Sequence, residues 1–271
     1  MSRSLALAAL ALALPLAACA SADPTDDPSI DDVGEAEQGQ KKPKTPEPFD
    51  VEFTGCRDVA GITPIPLANA EALVPNDFTI QTPGATASFV VRLANCDGIA
   101  VENGQAKPGT VVQVGITIVP PDGNTANLNN YTGWYYTDHK ALAKRLENSG
   151  MRAQYVKHLD FDYDPDPAGT GGALHVDVPG EPAFELDGQV GEPTVAPTLY
   201  RAVWWQDGKH GVVELDTVLP AIAFGTAPVL DITTDSCSEI ADLIGGTSAP
   251  FTAFHSFSRS TPELMHVSVA P

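Results

Sequence analysis

The sequence predicts an α+β fold: β-rich, with a largely antiparallel, barrel-like sheet and a few flanking helices. Three observations lead there. Runs of β-branched and apolar residues recur along the chain, as at Ala85 to Leu93, Thr110 to Val119 and Thr198 to Gln206. Helical periodicity is confined to short stretches. The strand runs follow one another through turn signals, without the helix after each strand that a parallel βαβ sheet requires.

Taken in order, Asn69-Ala70-Glu71-Ala72-Leu73-Val74-Pro75 reads as a short helix ended by proline. The strands at Ala85 to Leu93 and Thr110 to Val119 follow, then a loop at Pro120-Pro121-Asp122-Gly123-Asn124 and an aromatic strand from Tyr131 to Tyr136. Asp138 to Ser149 is the clearest helix. Leu142, Ala143 and Leu146 share a face, Lys140, Lys144, Arg145 and Glu147 lie outside it, and Gly150 supplies the stop. Further strands are expected at Ala153 to Tyr163, Ala173 to Val178, Thr198 to Gln206 and Lys209 to Val218, the last two joined at Asp207-Gly208. Ser238 to Ile244 reads as a helix closed by Gly245-Gly246, with strands near Ala253 to Ser258 and Met265 to Val269. No internal repeat is present.

The N-terminus carries a different kind of signal. Arg3 precedes an almost unbroken Leu/Ala run from Leu5 to Leu14, too short to span a membrane as a mature helix. Leu16-Ala17-Ala18-Cys19 ends it and resembles the bacterial lipobox. That resemblance implies residues 1–18 are a cleaved signal peptide and Cys19 an acylated N-terminus. An ordinary secretory signal with a chance cysteine is the bland alternative. Ala20, in place of an Asp, favours the outer membrane in enteric bacteria. Residues 19–48 are rich in Asp, Pro, Glu, Gln and Lys and read as a disordered tether, with a single domain over 49–271.

Composition narrows the partners. The formal net charge is −20, and loss of Arg3 makes the mature chain one unit more negative. Such a surface repels nucleic acid and anionic headgroups, so the expected membrane partner is the bilayer, through acyl chains on Cys19. Of the other cysteines, Cys56, Cys96 and Cys237, an exported chain should oxidise a pair. Three pairings are open, and Cys56–Cys96 is preferred because both lie beside strand-like segments. Cys237 precedes an apparent helix start, where either a reactive or, more simply, a buried inert thiol fits.

The order of elements also resembles the acetoacetate decarboxylase-like superfamily. Ala72-Leu73-Val74-Pro75-Asn76-Asp77-Phe78 is similar to its "LVPxGF" segment, and Gln113-Val114-Gly115-Ile116 to its "ExG" strand. Tyr135-Tyr136-Thr137-Asp138, the helix after it and Gly150-Met151-Arg152-Ala153-Gln154 are similar to its "YLDNxxAxxxGRxxxGFPKK" segment. The late helix Ser238 to Ile244 recurs there too. The resemblance implies a barrel with an internal cavity. It also implies missing chemistry. The decarboxylase uses a Schiff-base lysine whose pKa a second lysine depresses, and Ala153 and Gln154 stand at those positions. Gln113 replaces the glutamate of the "ExG" strand, a second family glutamate falls near Val90, and no arginine stands close to Pro66. By alternation Lys157 would share a face with Ala153 and Tyr155, so a shifted Schiff-base lysine is an alternative to an ordinary exposed one.

Other constellations are weaker. His158 to Asp166 alternates acidic and apolar residues, which reads as an acidic solvent face or, through D-x-D-x-D, as a calcium loop. Pro165 and Gly171 occupy places where that loop needs glycine and glutamate. His255 beside Ser256 is a candidate base without a nucleophile elbow. Trp134, Tyr135, Tyr136, Trp204 and Trp205 are core residues that would line a pocket if the barrel is hollow. No metal site and no cofactor are expected. The reading is thus a lipoprotein with a catalytically degenerate domain that binds a small, mostly apolar molecule. Gln113, Arg152, Gln154 and Lys157 are its candidate ligand-binding residues. The alternatives are an enzyme of different, lyase-like chemistry in the same cavity, or a structural or interaction lipoprotein without ligand.

Overall fold

The computed structural model describes residues 45–271 except 124, 125, 127, 226–228, 253, 261 and 271, and not the side chains of 254–256. Cys19, the signal segment and the tether up to residue 44 lie outside the described residues, as does the side chain of His255. The elements in chain order are β1 (Phe49–Pro66), α1 (Leu67–Leu73), β2 (Thr86–Val101), β3 (Lys107–Thr117), β4 (Leu128–Thr137), α2 (Lys140–Asn148), β5 (Ala153–Tyr155), β6 (Asp160–Pro165) and β7 (Gly171–Val178). They continue with β8 (Phe184–Gly191), β9 (Thr198–Gly208), β10 (Gly211–Phe224), β11 (Val229–Thr234), α3 (Glu239–Ile244), β12 (Ser248–Pro250), β13 (Phe254–Ser260) and β14 (Glu263–Ala270).

Nine strands form a ring. Its path runs β1–β2–β3–β4–β9–β10–β14 and back to β1, with β13 between β1 and β10 and β5 beside β4. All pairs are antiparallel except β4 with β5 and with β9. Closure removes the free edges that an open sheet of this size would expose. β1 is long enough to change partners: Phe49 to Phe53 pair with β14, and Cys56 to Ile62 with β13. The switch occurs at Gly55, whose φ of +62° lies in the left-handed region that favours glycine.

Alternation sorts the side chains. Val51, Phe53, Val90, Val111, Ala202, Leu215 and Val267 point into the ring, where they form one core. Val59, Phe89, Val91, Leu93, Val112 and Val114 point outward, into a second core shared with a five-stranded antiparallel sheet, β12–β11–β8–β7–β6. That sheet contributes Leu174, Val176, Phe184, Leu186 and Ile232. Tyr163 stacks on Phe257 at 4.8 Å and Tyr136 meets Phe184 edge-on at 6.0 Å.

The fold class is the one the sequence predicts, and several boundaries shift for physical reasons. The α2 helix starts at Lys140 because the ring of His139 caps it, Nδ1 accepting from the Leu142 N–H at 3.2 Å. The β9–β10 turn falls at Lys209-His210, one step past Asp207-Gly208, which stay in the ladder. The single strand expected over Ala153 to Tyr163 is two. β5 belongs to the ring and β6 to the second sheet, so the chain crosses between layers at Lys157-His158.

Cys56 and Cys96 face each other across β1 and β2 and are disulfide-bonded. The expectation of a buried Cys237 is corrected: the residue is exposed just before the Ser238 cap of α3, and no free cysteine remains among the described residues.

Candidate functional site

The inside of the ring carries charge. Arg92 interrupts the apolar run of β2 and points inward, and three neighbouring strands answer it. Its Nη2 donates to Asp58 Oδ1 on β1 and to Glu263 Oε2 on β14, each at 2.7 Å. Its Nη1 donates to Gln113 Oε1 on β3 at 3.1 Å. Ser260 at the end of β13 donates to Asp58 Oδ2 at 3.2 Å and lies in short hydrogen-bond contact with Glu263 Oε1. Asp58, Gln113 and Glu263 are all buried, Glu263 completely.

One guanidinium therefore serves two carboxylates away from water. Burial, then the neighbouring Glu263, push the Asp58 carboxyl well above the usual carboxylate range, against the pull of Arg92. Burial acts to lower the Arg92 pKa, but Asp58 and Glu263 outweigh it and hold the group firmly charged. The assembly is closest to neutral when Asp58 keeps its proton, which its hydrogen bond with Glu263 favours.

Beside this cluster lies a chamber of ≈ 50 Å³. Asp58, Arg92 and Ser258 form its polar end, Val90, Ala202, Trp204 and Leu219 its walls, and Tyr200 with Phe224 its partly exposed side. Those two rings meet edge-on with centroids 5.6 Å apart. Four buried polar groups turned into the ring have no hydrogen-bond partner: Gln113 Nε2, Tyr135 Oη, Trp204 Nε1 and Thr217 Oγ1. Buried donors are normally satisfied, and of these four residues Trp204 is the one that lines the chamber, where water or a ligand can complete its indole N–H. Burial raises the Tyr135 pKa, which keeps its hydroxyl a neutral donor.

The sequence-based site residues separate. Gln113 is in the cluster. Arg152 is exposed and lies in an open groove of ≈ 450 Å³ with Asn69, Trp134, Glu239 and Asp242, where its guanidinium meets the Tyr131 hydroxyl. The groove and the chamber share no lining residue, and the structure does not bring Arg152 and Gln113 together. Gln154 is on the outer side of the ring, clamped to the backbone of Glu181 by both ends of its amide. Lys157 is exposed in the crossover turn and shares no face with Ala153, because the strand that would have aligned them ends at Tyr155. Ala153 itself is buried in the inner core opposite Tyr135. All five described lysines, Lys107, Lys140, Lys144, Lys157 and Lys209, are exposed. Of the aromatics, Trp204 and Tyr135 face inward, whereas Trp134, Tyr136 and Trp205 belong to the outer core. The aspartates of β6 lie on its exposed face, and no group of three or more His, Cys, Asp or Glu among the described residues is placed to hold a metal ion.

Asp58, Arg92 and Glu263 escaped the sequence reading. The available signal was a lone arginine within an apolar strand, Phe89-Val90-Val91-Arg92-Leu93, since a charge on a doubly buried strand needs partners.

The sequence matches no protein-family model, and no curated protein matches it. Solved structures do. An enduracididine biosynthesis enzyme, MppR, with HEPES buffer bound is similar at a TM-score of 0.51 and 13% identity, over 84% of this chain and 87% of that one. An acetoacetate decarboxylase from Legionella pneumophila is similar at a TM-score of 0.51 and 11% identity, over 86% of this chain and 92% of that one. At such identities the likeness is one of fold: the chain has the acetoacetate decarboxylase-like architecture.

Proposed function

We propose that this protein is a lipid-anchored protein of the bacterial envelope whose barrel binds a small, mostly apolar molecule, without Schiff-base chemistry. The observation that carries the reading is the chamber: apolar walls, one charged and hydrogen-bonding end, and in its wall the buried Trp204 indole N–H left without a partner. Both fold relatives named above are enzymes, and the decarboxylase mechanism needs an uncharged amine beside the substrate. Here the resembling positions hold Ala153 and Gln154, and the described lysines are all exposed. The anchor rests on Leu16-Ala17-Ala18-Cys19, and attachment by several acyl chains is stable where one is marginal.

Binding is tested by saturation-transfer NMR with a panel of small ketones, esters, ethers and acids. Wild-type protein should retain members of the panel. Val90→Trp, which fills the chamber, should retain none while keeping its circular dichroism. A wild type that retains nothing overturns the reading. The anchor is tested by intact mass of protein extracted from membranes, which should show a lipid-sized increment on a chain starting at Cys19.

A ligand-free structural role is favoured by one observation, the volume. A chamber of ≈ 50 Å³ is far below the roughly 300–1,000 Å³ of drug-sized sites. Under that reading the panel does not bind and Val90→Trp costs only its overpacking. The lyase-like alternative finds neither Arg152 nor Lys157 in the chamber's lining.

A further inference from the structure

The chamber's polar end specifies what kind of head group it takes. We infer that it selects a neutral hydrogen-bond acceptor, such as a ketone, ester or ether oxygen, and rejects the carboxylate of the same size. This inference rests on the reading of the barrel as a binding site and names its ligand class.

The argument is one of committed charge. Arg92 is the sole cation among the described residues that lines the chamber. Its Nη2 is held at 2.7 Å by both Asp58 and Glu263, and its Nη1 is spent on Gln113. With Asp58 protonated, Glu263 already balances the one positive charge, so an incoming anion finds no uncompensated cation. It would add a charge to an enclosed space where desolvation costs several kcal/mol per ion. The groups still lacking partners are of the other kind. Gln113 Nε2 and Trp204 Nε1 can only donate, and the Tyr135 and Thr217 hydroxyls can donate as well. All four residues are at least nine-tenths buried. Of the four, Trp204 is the one among the chamber's lining residues, and a ligand that brings an acceptor oxygen and no charge can accept from its indole N–H without disturbing the Arg92 cluster. The volume limits the head and its attachments to a few heavy atoms unless the Tyr200–Phe224 pair moves.

Two probes of five heavy atoms separate the possibilities: 2-butanone and propionate, titrated at pH 7 into the full mature chain. The readout is the indole N–H resonance of Trp204, assigned by its loss in Trp204→Phe. 2-Butanone should shift it saturably, and propionate should bind at least tenfold more weakly. Propionate binding as tightly as 2-butanone overturns the selectivity while leaving the barrel a binding site. No saturable shift with either overturns both. A second variant reads the cause directly. Asp58→Asn with Glu263→Gln leaves Arg92 without any carboxylate partner, and propionate should then bind at least tenfold more tightly than to wild type. An unchanged propionate affinity in the folded double variant overturns the charge argument. Should the double variant not fold, the wild-type comparison decides alone.

Discussion

Arg92 and Gln113 stand directly opposite each other on β2 and β3, and the guanidinium donates to the amide oxygen at 3.1 Å. The amide is the neutral member of a cluster that already holds two carboxylates. Gln113→Glu would present a third to the same guanidinium, in a site closed to water. The expected cost is about 1–3 kcal/mol at pH 7, the range for a buried group left without its partner. It should shrink as the pH falls and the new carboxyl takes up a proton. Urea unfolding at pH 7 and pH 5 measures both, and an unchanged midpoint at pH 7 would mean that water reaches the cluster.

Asp58 gives the fold a pH dependence of defined sign. Its folded pKa lies above the ordinary value, chiefly through burial and then through Glu263. Above about pH 4 an unfolded chain has lost this proton while the folded chain keeps it. The group's contribution is therefore whole below that value and lost as pH rises through the folded pKa. Asp58→Asn keeps the shape of the protonated group and removes the titration. The variant should gain stability relative to wild type as pH rises from 4 to 8, seen as diverging unfolding midpoints. Parallel midpoints would show that Asp58 is ionised in the folded protein.

The Cys56–Cys96 bridge closes a loop of 40 residues. In the chain-entropy account such a loop contributes about 4 kcal/mol. Because the bridge joins neighbouring strands inside the ring, its loss should loosen the β1–β2 pair without dismantling the second sheet. Cys56→Ala with Cys96→Ala should lower stability by about that amount, with amide protection lost first on β1 and β2. Equal stability of oxidised and bridge-free protein would show that the ladder alone fixes the register.

How far the sequence reaches can be judged from particular residues. Helix α3 was legible because Ser238 and Gly245 cap it in ways the chain spells out. The strands were legible where both faces are buried and the run is continuously apolar or nearly so, as at Val111 to Ile116. What alternation does not encode is which layer a strand joins, and so the run from Ala153 to Tyr163 hid a change of sheet. The site suffered for the same reason. Asp58, Arg92 and Glu263 lie far apart in the chain and meet only through ring closure, so no local spacing announces them. Gln113 was found because its strand resembles a known one. Alternation does not carry Lys157 onto the face of Ala153, because β5 ends at Tyr155, and Arg152 opens onto the outer groove.

Lys157 and Arg152 support the last expectation. Lys157 is exposed in a turn, outside the lining of the chamber. A Schiff base needs the free amine beside its ketone. Borohydride added with 2-butanone or acetoacetate should therefore leave the mass of the protein unchanged, and no carbon dioxide should be released from acetoacetate. Lys157→Ala should be indistinguishable from wild type in both assays. Arg152→Ala should likewise leave the Trp204 indole response to 2-butanone intact, because the Arg152 groove and the chamber share no wall. An adduct that disappears in Lys157→Ala would place a working amine outside the barrel, and loss of the indole response in a folded Arg152→Ala would mean that the two cavities are coupled.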